Sequence, residues 1–64
     1  MSFTLKACRV NKKLTQAEAA KALGITEDTL ANYEAGRTFP DVRVIKKIEH
    51  LYGIPFANII FFEE

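Results

Sequence analysis

Several residue types are scarce in this sequence, and each scarcity excludes a class of protein. Cys8 is the only cysteine among 64 residues, so the chain cannot form an internal disulfide, which favours a reducing cytoplasm. With His50 as the only histidine, no zinc-binding set can be assembled from Cys8 and His50. The longest apolar run, residues 59–62, is far shorter than the roughly 20 residues of a membrane span, and no signal sequence precedes it. We therefore expect a soluble, cytoplasmic protein with no metal, cofactor or small-molecule ligand.

The chain is also short and weakly charged. A domain of this length buries only about 60% of its unfolded surface, but five Phe, two Tyr and many aliphatic residues predict one apolar core. The sequence pI of about 7.9 is low for a nucleic-acid-binding domain, since such domains typically exceed about 9. Positive charge is concentrated before residue 38, where six Lys and Arg outnumber four Asp and Glu.

Apolar spacing and capping residues predict five short helices, and therefore an all-α single domain over residues 1–64. The first shows a helical period at Phe3, Ala7 and Val10, with Leu5 and Cys8 beside them, which predicts one buried face. We expect Cys8 to pack in or beside the core rather than act as a redox switch. The predicted helices are 3–13, Gln16–Leu23, 27 to about 35, a fourth that Asp41 opens and Gly53 ends, and a very short fifth that begins at Pro55 and carries Phe56, Ile59 and Ile60.

The second and third helices are bounded by unusually clear signals. Thr15 and Glu18 have the spacing of a capping box, and Gly24 suits a left-handed C-terminal stop. Thr26 is placed to cap the third helix, which Gly36 ends. Two helices joined by so short a turn indicate a helix-turn-helix unit over residues 15–36.

This unit resembles the Cro/repressor-like helix-turn-helix family, also called XRE, of bacterial and phage transcriptional regulators. The resemblance rests on LTQAEAA at 14–20, LGIT at 23–26 and TLANYEAGR at 29–37, and continues through Pro40 and YGI at 52–54. It implies a compact five-helix repressor-like domain that binds double-stranded DNA.

The resemblance also implies that Gln16 contacts DNA at the start of the second helix, and that Arg37 and Thr38 contact phosphates beyond the third. Helical geometry turns Leu30 and Tyr33 inward and leaves the polar residues of the third helix outside. The candidate DNA-binding residues are Gln16, Thr26, Glu27, Asp28, Thr29, Asn32, Arg37 and Thr38.

Asn32 is the preferred base-reading residue, because its amide can pair bidentately with adenine. Asp28 lies four residues earlier on the same face and can accept a hydrogen bond from cytosine. For Glu27 and Asp28 an alternative stays open, since acidic residues in a first turn also stabilise the helix dipole.

A structural ion pair between Arg9 and Glu34 is implied by the resemblance, which sets the first helix against the end of the third. A single module of this size covers little DNA, and similar proteins dimerise on palindromic sites. We expect dimerisation through an apolar tail, residues 56–64, that forms either a symmetric contact or a short extended segment paired across a twofold axis. Alternatively, Ile59 and one Phe close the core of the monomer. The candidate dimerisation residues are Phe56, Ile59, Ile60, Phe61 and Phe62.

Enzymatic activity has little support, since His50 fits a favourable contact at a helix end better than a catalytic base. The sequence therefore predicts a homodimeric repressor that binds a palindromic DNA operator. The alternative is a protein-interaction module of the same fold, such as an antitoxin or antirepressor, which the near-neutral pI allows.

Overall fold

The computed structural model describes residues 2–61, which form a mostly helical domain with two very short strands. In chain order the elements are β1 (Phe3–Thr4), α1 (Leu5–Asn11), α2 (Gln16–Leu23), α3 (Glu27–Glu34), α4 (Val42–Tyr52), a 3₁₀ turn (Phe56–Asn58) and β2 (Ile59–Ile60). The predicted bounds of the second helix agree with α2, and those of the third and fourth agree to within a residue.

The prediction of a fifth helix is wrong for the described residues. Only the 3₁₀ turn forms, with the Asn58 N–H donating to the Pro55 carbonyl oxygen at 2.9 Å. Pro55 itself has an extended backbone with ψ 148°, so it does not enter a helix. Ile59 and Ile60 are β-branched and favour the extended conformation in which they occur as β2.

The C-terminal extended segment that the sequence predicts is not confirmed as a separate extension. Strand β2 pairs in parallel with β1 of the same chain, with Phe3 opposite Ile59 and Thr4 opposite Ile60. This pairing joins the two ends of the described chain, so β2 closes the domain instead of projecting from it.

Helix α1 is shorter than predicted and buries a different face. Phe3 belongs to β1, and Thr4 caps the helix by accepting a hydrogen bond from the Ala7 N–H at 3.0 Å. Leu5 and Cys8 are each 1% exposed, whereas Val10 is 55% exposed. The predicted inclusion of Phe3 and Val10 in the buried face is wrong, because the helix begins after Phe3 and turns Val10 outward.

Each of the four α-helices formed by residues 2–61 is preceded by a residue whose side chain accepts a hydrogen bond from the backbone N–H three residues later. The capping box is confirmed, since the Thr15 hydroxyl accepts from the Glu18 N–H and the Glu18 carboxylate accepts from the Thr15 N–H. The hydrogen bond from the Thr15 backbone N–H to the carboxylate, and to a lesser extent the Thr15 side chain, lowers the pKa of Glu18. The four capping residues are Thr4, Thr15, Thr26 and Asp41.

The core lies where α2 packs against α3 and α4. Small residues on α2 permit close approach: Ala19 is fully buried and Ala20 is 2% exposed. Cys8 is also in this core, as predicted, and burial raises the pKa of its thiol. The buried apolar residues are Leu5, Cys8, Ala19, Ala20, Leu23, Leu30, Ile48, Tyr52, Ile59 and Phe61.

Residues 2–61 contain neither a membrane-spanning helix nor a metal-binding cluster. None of the helices there is long and apolar enough to cross a bilayer; α4, the longest, has 11 residues. The same residues contain no group of three or more His, Cys, Asp or Glu side chains that could hold a metal ion.

Lys13 adopts a left-handed backbone conformation with φ 59°, which places it where a glycine is usual after a helix. Replacing Lys13 with Gly should raise the free energy of unfolding by about 1 kcal/mol, because the Cβ strain is removed. Chemical denaturation measures this change. Lys12→Gly is the matched control: Lys12 has φ −89°, so glycine there should only lower stability. Equal losses for both variants would contradict strain at Lys13.

Tyr52 is 2% exposed, and its hydroxyl has no hydrogen-bond partner among the described residues. Burial, together with the charge of Glu34, raises the pKa of Tyr52 to about 12. Tyr52→Phe should therefore stabilise the fold at neutral pH by about 1 kcal/mol, because a buried unpaired hydroxyl is removed.

The same variant has a predictable pH dependence. Because the folded-state pKa of Tyr52 exceeds its ordinary value near 10, wild-type stability falls as pH rises from there toward 12. This loss amounts to at most about 1.4 kcal/mol per pH unit. Denaturation of both proteins from pH 7 to pH values near the pKa of Tyr52 should show a steeper loss of stability in the wild type than in Tyr52→Phe, since the buried Cys8 thiol titrates in both. Parallel curves would contradict a buried, protonated phenol.

Candidate nucleic-acid interface

A tight turn joins α2 to α3 and determines how α3 is presented. Gly24 has φ 72°, and its N–H donates to the Lys21 carbonyl oxygen at 3.2 Å. The Ile25 N–H donates to the Ala20 carbonyl oxygen at 3.0 Å, and Thr26 then caps α3. Since every residue of the turn is held in this way, the two helices form one rigid unit.

One face of α3 is polar and turned away from the core. Leu30 is fully buried, and Tyr33 is half-buried against the core. On the side of the helix opposite Leu30, Asp28 is exposed, and Asn32 is half-exposed one turn later on the same face as Asp28. The structure therefore presents the carboxylate of Asp28 and the amide of Asn32 together on this outward face.

Thr26 and Thr29 make local contacts at the beginning of α3. The Thr26 hydroxyl accepts from the Thr29 N–H at 3.1 Å, and the two hydroxyl oxygens are 2.7 Å apart. Both hydroxyls thus stabilise the first turn. Glu27 is exposed beside them, in the same first turn as Asp28, where either carboxylate favours the helix dipole.

The end of α3 is tied to α1 and α2 by the side chain of Glu34. Arg9 Nε donates to one carboxylate oxygen at 2.7 Å, and Arg9 Nη2 donates to the other at 3.3 Å. The two side chains are only 11% and 5% exposed. The hydrogen bond with Glu34 raises the pKa of Arg9, although burial opposes this. Arg9 and Glu34, which the sequence proposes as an ion pair, are therefore in direct contact.

Gln16 is a third member of this cluster. Its Nε2 donates to Glu34 Oε1 at 3.1 Å, while Arg9 Nη1 donates to the Leu14 carbonyl oxygen at 2.9 Å. The side chain of the first α2 residue is thus held against the end of α3. Its second amide N–H and its carbonyl oxygen have no partner within residues 2–61 and remain able to bind a ligand.

Arg37 and Thr38 are exposed immediately after α3. The backbone N–H of Arg37 donates to the Asn32 carbonyl oxygen at 3.0 Å, and Gly36 has φ 74°. This arrangement ends α3 and holds the Arg37 backbone close to its last turn. Because Arg9 and Glu34 neutralise each other, the exposed charges before residue 38 are five cations, Lys6, Lys12, Lys13, Lys21 and Arg37, and three carboxylates, Glu18, Glu27 and Asp28.

Comparison with known families identifies the family to which this arrangement belongs. The helix-turn-helix family model matches residues 5–59, nearly all of the described chain. The chain belongs to the helix-turn-helix family. This family, of the XRE type, consists of DNA-binding transcriptional regulators rather than enzymes.

Three relatives illustrate the range of this helix-turn-helix family. The cryptic phage CTXphi transcriptional repressor RstR of Vibrio cholerae is 30% identical over 92% of this chain and 53% of its own. The uncharacterized HTH-type transcriptional regulator YqaE of Bacillus subtilis is 40% identical over 92% of this chain and 51% of its own. The uncharacterized HTH-type transcriptional regulator MJ0272 of Methanocaldococcus jannaschii is 31% identical over 100% and 97% respectively. The chain spans about half the length of the first two. No solved structure matches it.

Two contacts of this helix-turn-helix unit are not predicted from the sequence. One is the hydrogen bond between Gln16 and Glu34, which helical periodicity cannot predict because the two residues lie on different helices. The other involves Lys47 on α4, whose Nζ would lie 3.5 Å from a Cβ built on Gly24. The ammonium group is thus close to the C-terminus of α2, where a cation favours the helix dipole.

The predicted dimerisation residues are separated by the fold. Ile59 and Phe61 are 7% and 8% exposed and belong to the core, as in the alternative interpretation of the sequence. Ile60 is half-exposed, and Phe56 is 43% exposed. Phe62 lies outside the described residues. Of the four that are described, Phe56 offers the largest accessible apolar side chain.

Removing Arg9 should strongly destabilise the domain. Arg9→Met leaves the Glu34 carboxylate buried without its cation, at a cost of up to about 3–5 kcal/mol for a fully buried pair. Glu34→Gln should cost less, since its amide oxygen still accepts from Arg9 and no buried carboxylate is left unpaired, although its NH2 group replaces the second acceptor oxygen. A double-mutant cycle on the unfolding free energy should give a coupling of at least about 1 kcal/mol. Additive losses would contradict a coupled pair.

Proposed function

We propose that this chain is a sequence-specific DNA-binding repressor that acts as a homodimer on a palindromic operator in the cytoplasm. The observation that carries the proposal is the joint presentation of Asp28 and Asn32 on the outward face of α3, within a rigid helix-turn-helix unit. The similarity to a phage transcriptional repressor supports the repressing role. In this proposal α3 lies in the major groove.

Each outward side chain then has a chemical role. Asn32 pairs with adenine through its amide oxygen and nitrogen, and Asp28 accepts from the exocyclic amine of cytosine. Thr29 lies beside them at half exposure. Glu27 and Thr26 lie at the edge of the DNA major groove, at the start of α3. There they stabilise the first turn of the helix and do not contact bases.

The remaining contacts are with phosphate. Gln16 has an amide N–H to spare at the N-terminus of α2, where the helix dipole also favours an anion. Arg37 supplies a charge at the end of α3, and Thr38 supplies a hydroxyl. Since phosphate contacts are independent of sequence, these residues position α3 while Asn32 and Asp28 select the site.

A second candidate function is a protein-interaction module such as an antitoxin or antirepressor. It is favoured by one observation: Glu27 and Asp28, the exposed charges on α3, are both acidic. A carboxylate pair beside phosphates is repelled, whereas a basic protein surface would attract it.

Selection from a pool of random DNA duplexes should yield a palindromic site with a steep salt dependence of binding. Asn32→Ala should lose about tenfold of the discrimination at one base pair in each half-site. Arg37→Ala should reduce the slope of log affinity against log salt by about one per protomer, with sequence preference unchanged. Electrophoretic mobility shift measures the affinity for the selected site, the discrimination between base pairs and the salt slope.

Lys12→Ala is the matched control, because it also removes one exposed positive charge but lies near Gly53 at the end of α4. It should change neither sequence preference nor salt slope. If the wild type selects no sequence even at low salt, the repressor proposal fails and the protein-interaction module is favoured. If Asp28→Ala strengthens binding equally to all sequences, Asp28 is not a base-reading residue.

A further inference from the structure

The outward face of α3 presents hydrogen-bond acceptors and no cation. The helix has the sequence EDTLANYE, which contains neither lysine nor arginine. Asp28 is exposed and Asn32 is half-exposed on this face, and neither side chain makes a hydrogen bond within residues 2–61. An ionised carboxylate only accepts hydrogen bonds, whereas the Asn32 amide both accepts and donates. A surface that satisfies this face must therefore offer hydrogen-bond donors.

The hydroxyl groups of α3 do not change the character of this face. The hydroxyl oxygens of Thr26 and Thr29 are 2.7 Å apart, so one of the two hydroxyls donates to the other. The Thr26 hydroxyl also accepts from the Thr29 N–H at 3.1 Å. Tyr33 packs against the core. The amide of Asn32 is therefore the α3 side chain best placed both to donate and to accept.

The acceptors of α3 match one chemical group of the DNA major groove. The donors that base pairs present there are the exocyclic amines, N6 of adenine and N4 of cytosine. Guanine presents acceptors in the major groove, and the Arg and Lys side chains that usually bind them are absent from α3. The oxygens of Asp28 and Asn32 are thus both expected to accept from an exocyclic amine.

Methylation of an exocyclic amine removes the hydrogen that such an acceptor needs. The amine has two hydrogens, and Watson–Crick pairing retains one of them, so a single methyl group replaces the hydrogen that faces the major groove. In N6-methyladenine this methyl lies beside N7, the atom to which the Asn32 NH2 group would donate. The modification therefore removes one hydrogen bond of the bidentate pair and sterically blocks the other.

We propose that this protein senses methylation of exocyclic amines in its operator. N6-methyladenine at the base pair that Asn32 contacts prevents binding, and N4-methylcytosine at the base pair that Asp28 contacts has the same effect. This inference rests on the proposed DNA-binding function and adds the chemical class of its ligand, which is DNA unmethylated at these amines. A DNA methyltransferase that modifies exocyclic amines would therefore relieve repression at an operator that contains its target.

Three DNA duplexes test the inference by electrophoretic mobility shift. The first is the selected operator. The second carries N6-methyladenine in each half-site, at the adenine for which Asn32→Ala loses discrimination. The third carries N6-methyladenine outside the half-sites and controls for effects of the methyl group on the duplex itself. The wild type should bind the second at least about tenfold more weakly than the first, as expected for a lost bidentate pair, and should bind the third like the first.

Two protein variants separate loss of the amine contact from general weakening. Asn32→Ala should bind the first and second duplexes equally, because the methyl group no longer displaces a contact. Arg37→Ala should bind both more weakly and keep the ratio of the two affinities, because its proposed contact is with phosphate. In a fourth duplex with N4-methylcytosine at the contacted cytosine, the wild type should lose affinity and Asp28→Ala should not.

Equal binding of the wild type to the first and second duplexes would overturn the inference and leave the proposed function intact, because the operator would still be selected. The inference also fails if Asn32→Ala keeps the difference between these duplexes, or if this variant relaxes selection at no A·T base pair. A wild type that selects no DNA sequence would contradict the proposed function, and the inference with it.

Discussion

The arrangement of the helix-turn-helix unit depends on the hydrogen bonds that the carboxylate of Glu34 accepts. This carboxylate accepts hydrogen bonds from Arg9 on α1 and Gln16 on α2, and it lies in the last turn of α3. Arg9 also bonds the Leu14 carbonyl oxygen in the loop before α2. One nearly buried anion thus fixes three helices relative to one another. Since small domains are stable by only about 5–15 kcal/mol, an uncompensated charge at this point would remove much of that stability.

The outward face of α3 follows from this arrangement together with the helix caps. Leu30 anchors the inner face in the core, and Thr26 fixes the first turn, so Asp28 and Asn32 point away without internal partners. The surface before residue 38 is not strongly basic, because its five exposed cations are accompanied by three exposed carboxylates. A binder with few free cations has weak non-specific attraction for DNA. In the proposed function, base contacts and a second protomer therefore supply a larger share of the affinity.

Residues 59–61 determine which apolar side chains are buried in the core and which stay exposed. Strand β2 pairs with β1, which draws Ile59 and Phe61 into the core. Because these residues are buried, the large apolar side chains that stay exposed are Val42 and Phe56, together with Phe3, Val10 and Phe39. Pairing of β1 with β2 therefore decides which apolar side chains of the described residues stay exposed.

The bounds of α2, α3 and α4 and the helix-turn-helix unit were determined by the sequence itself, because caps such as Thr15 with Glu18 and stops such as Gly24 act over three or four residues. Outward placement of Asp28 and Asn32 also follows from helical periodicity. Only the tertiary structure decided that residues 56–60 form a turn and a strand instead of a helix, since β2 gains its partner from the other end of the chain. The contact of Gln16 with Glu34 and the exposure of Phe56 depend likewise on long-range packing, which local propensity does not encode.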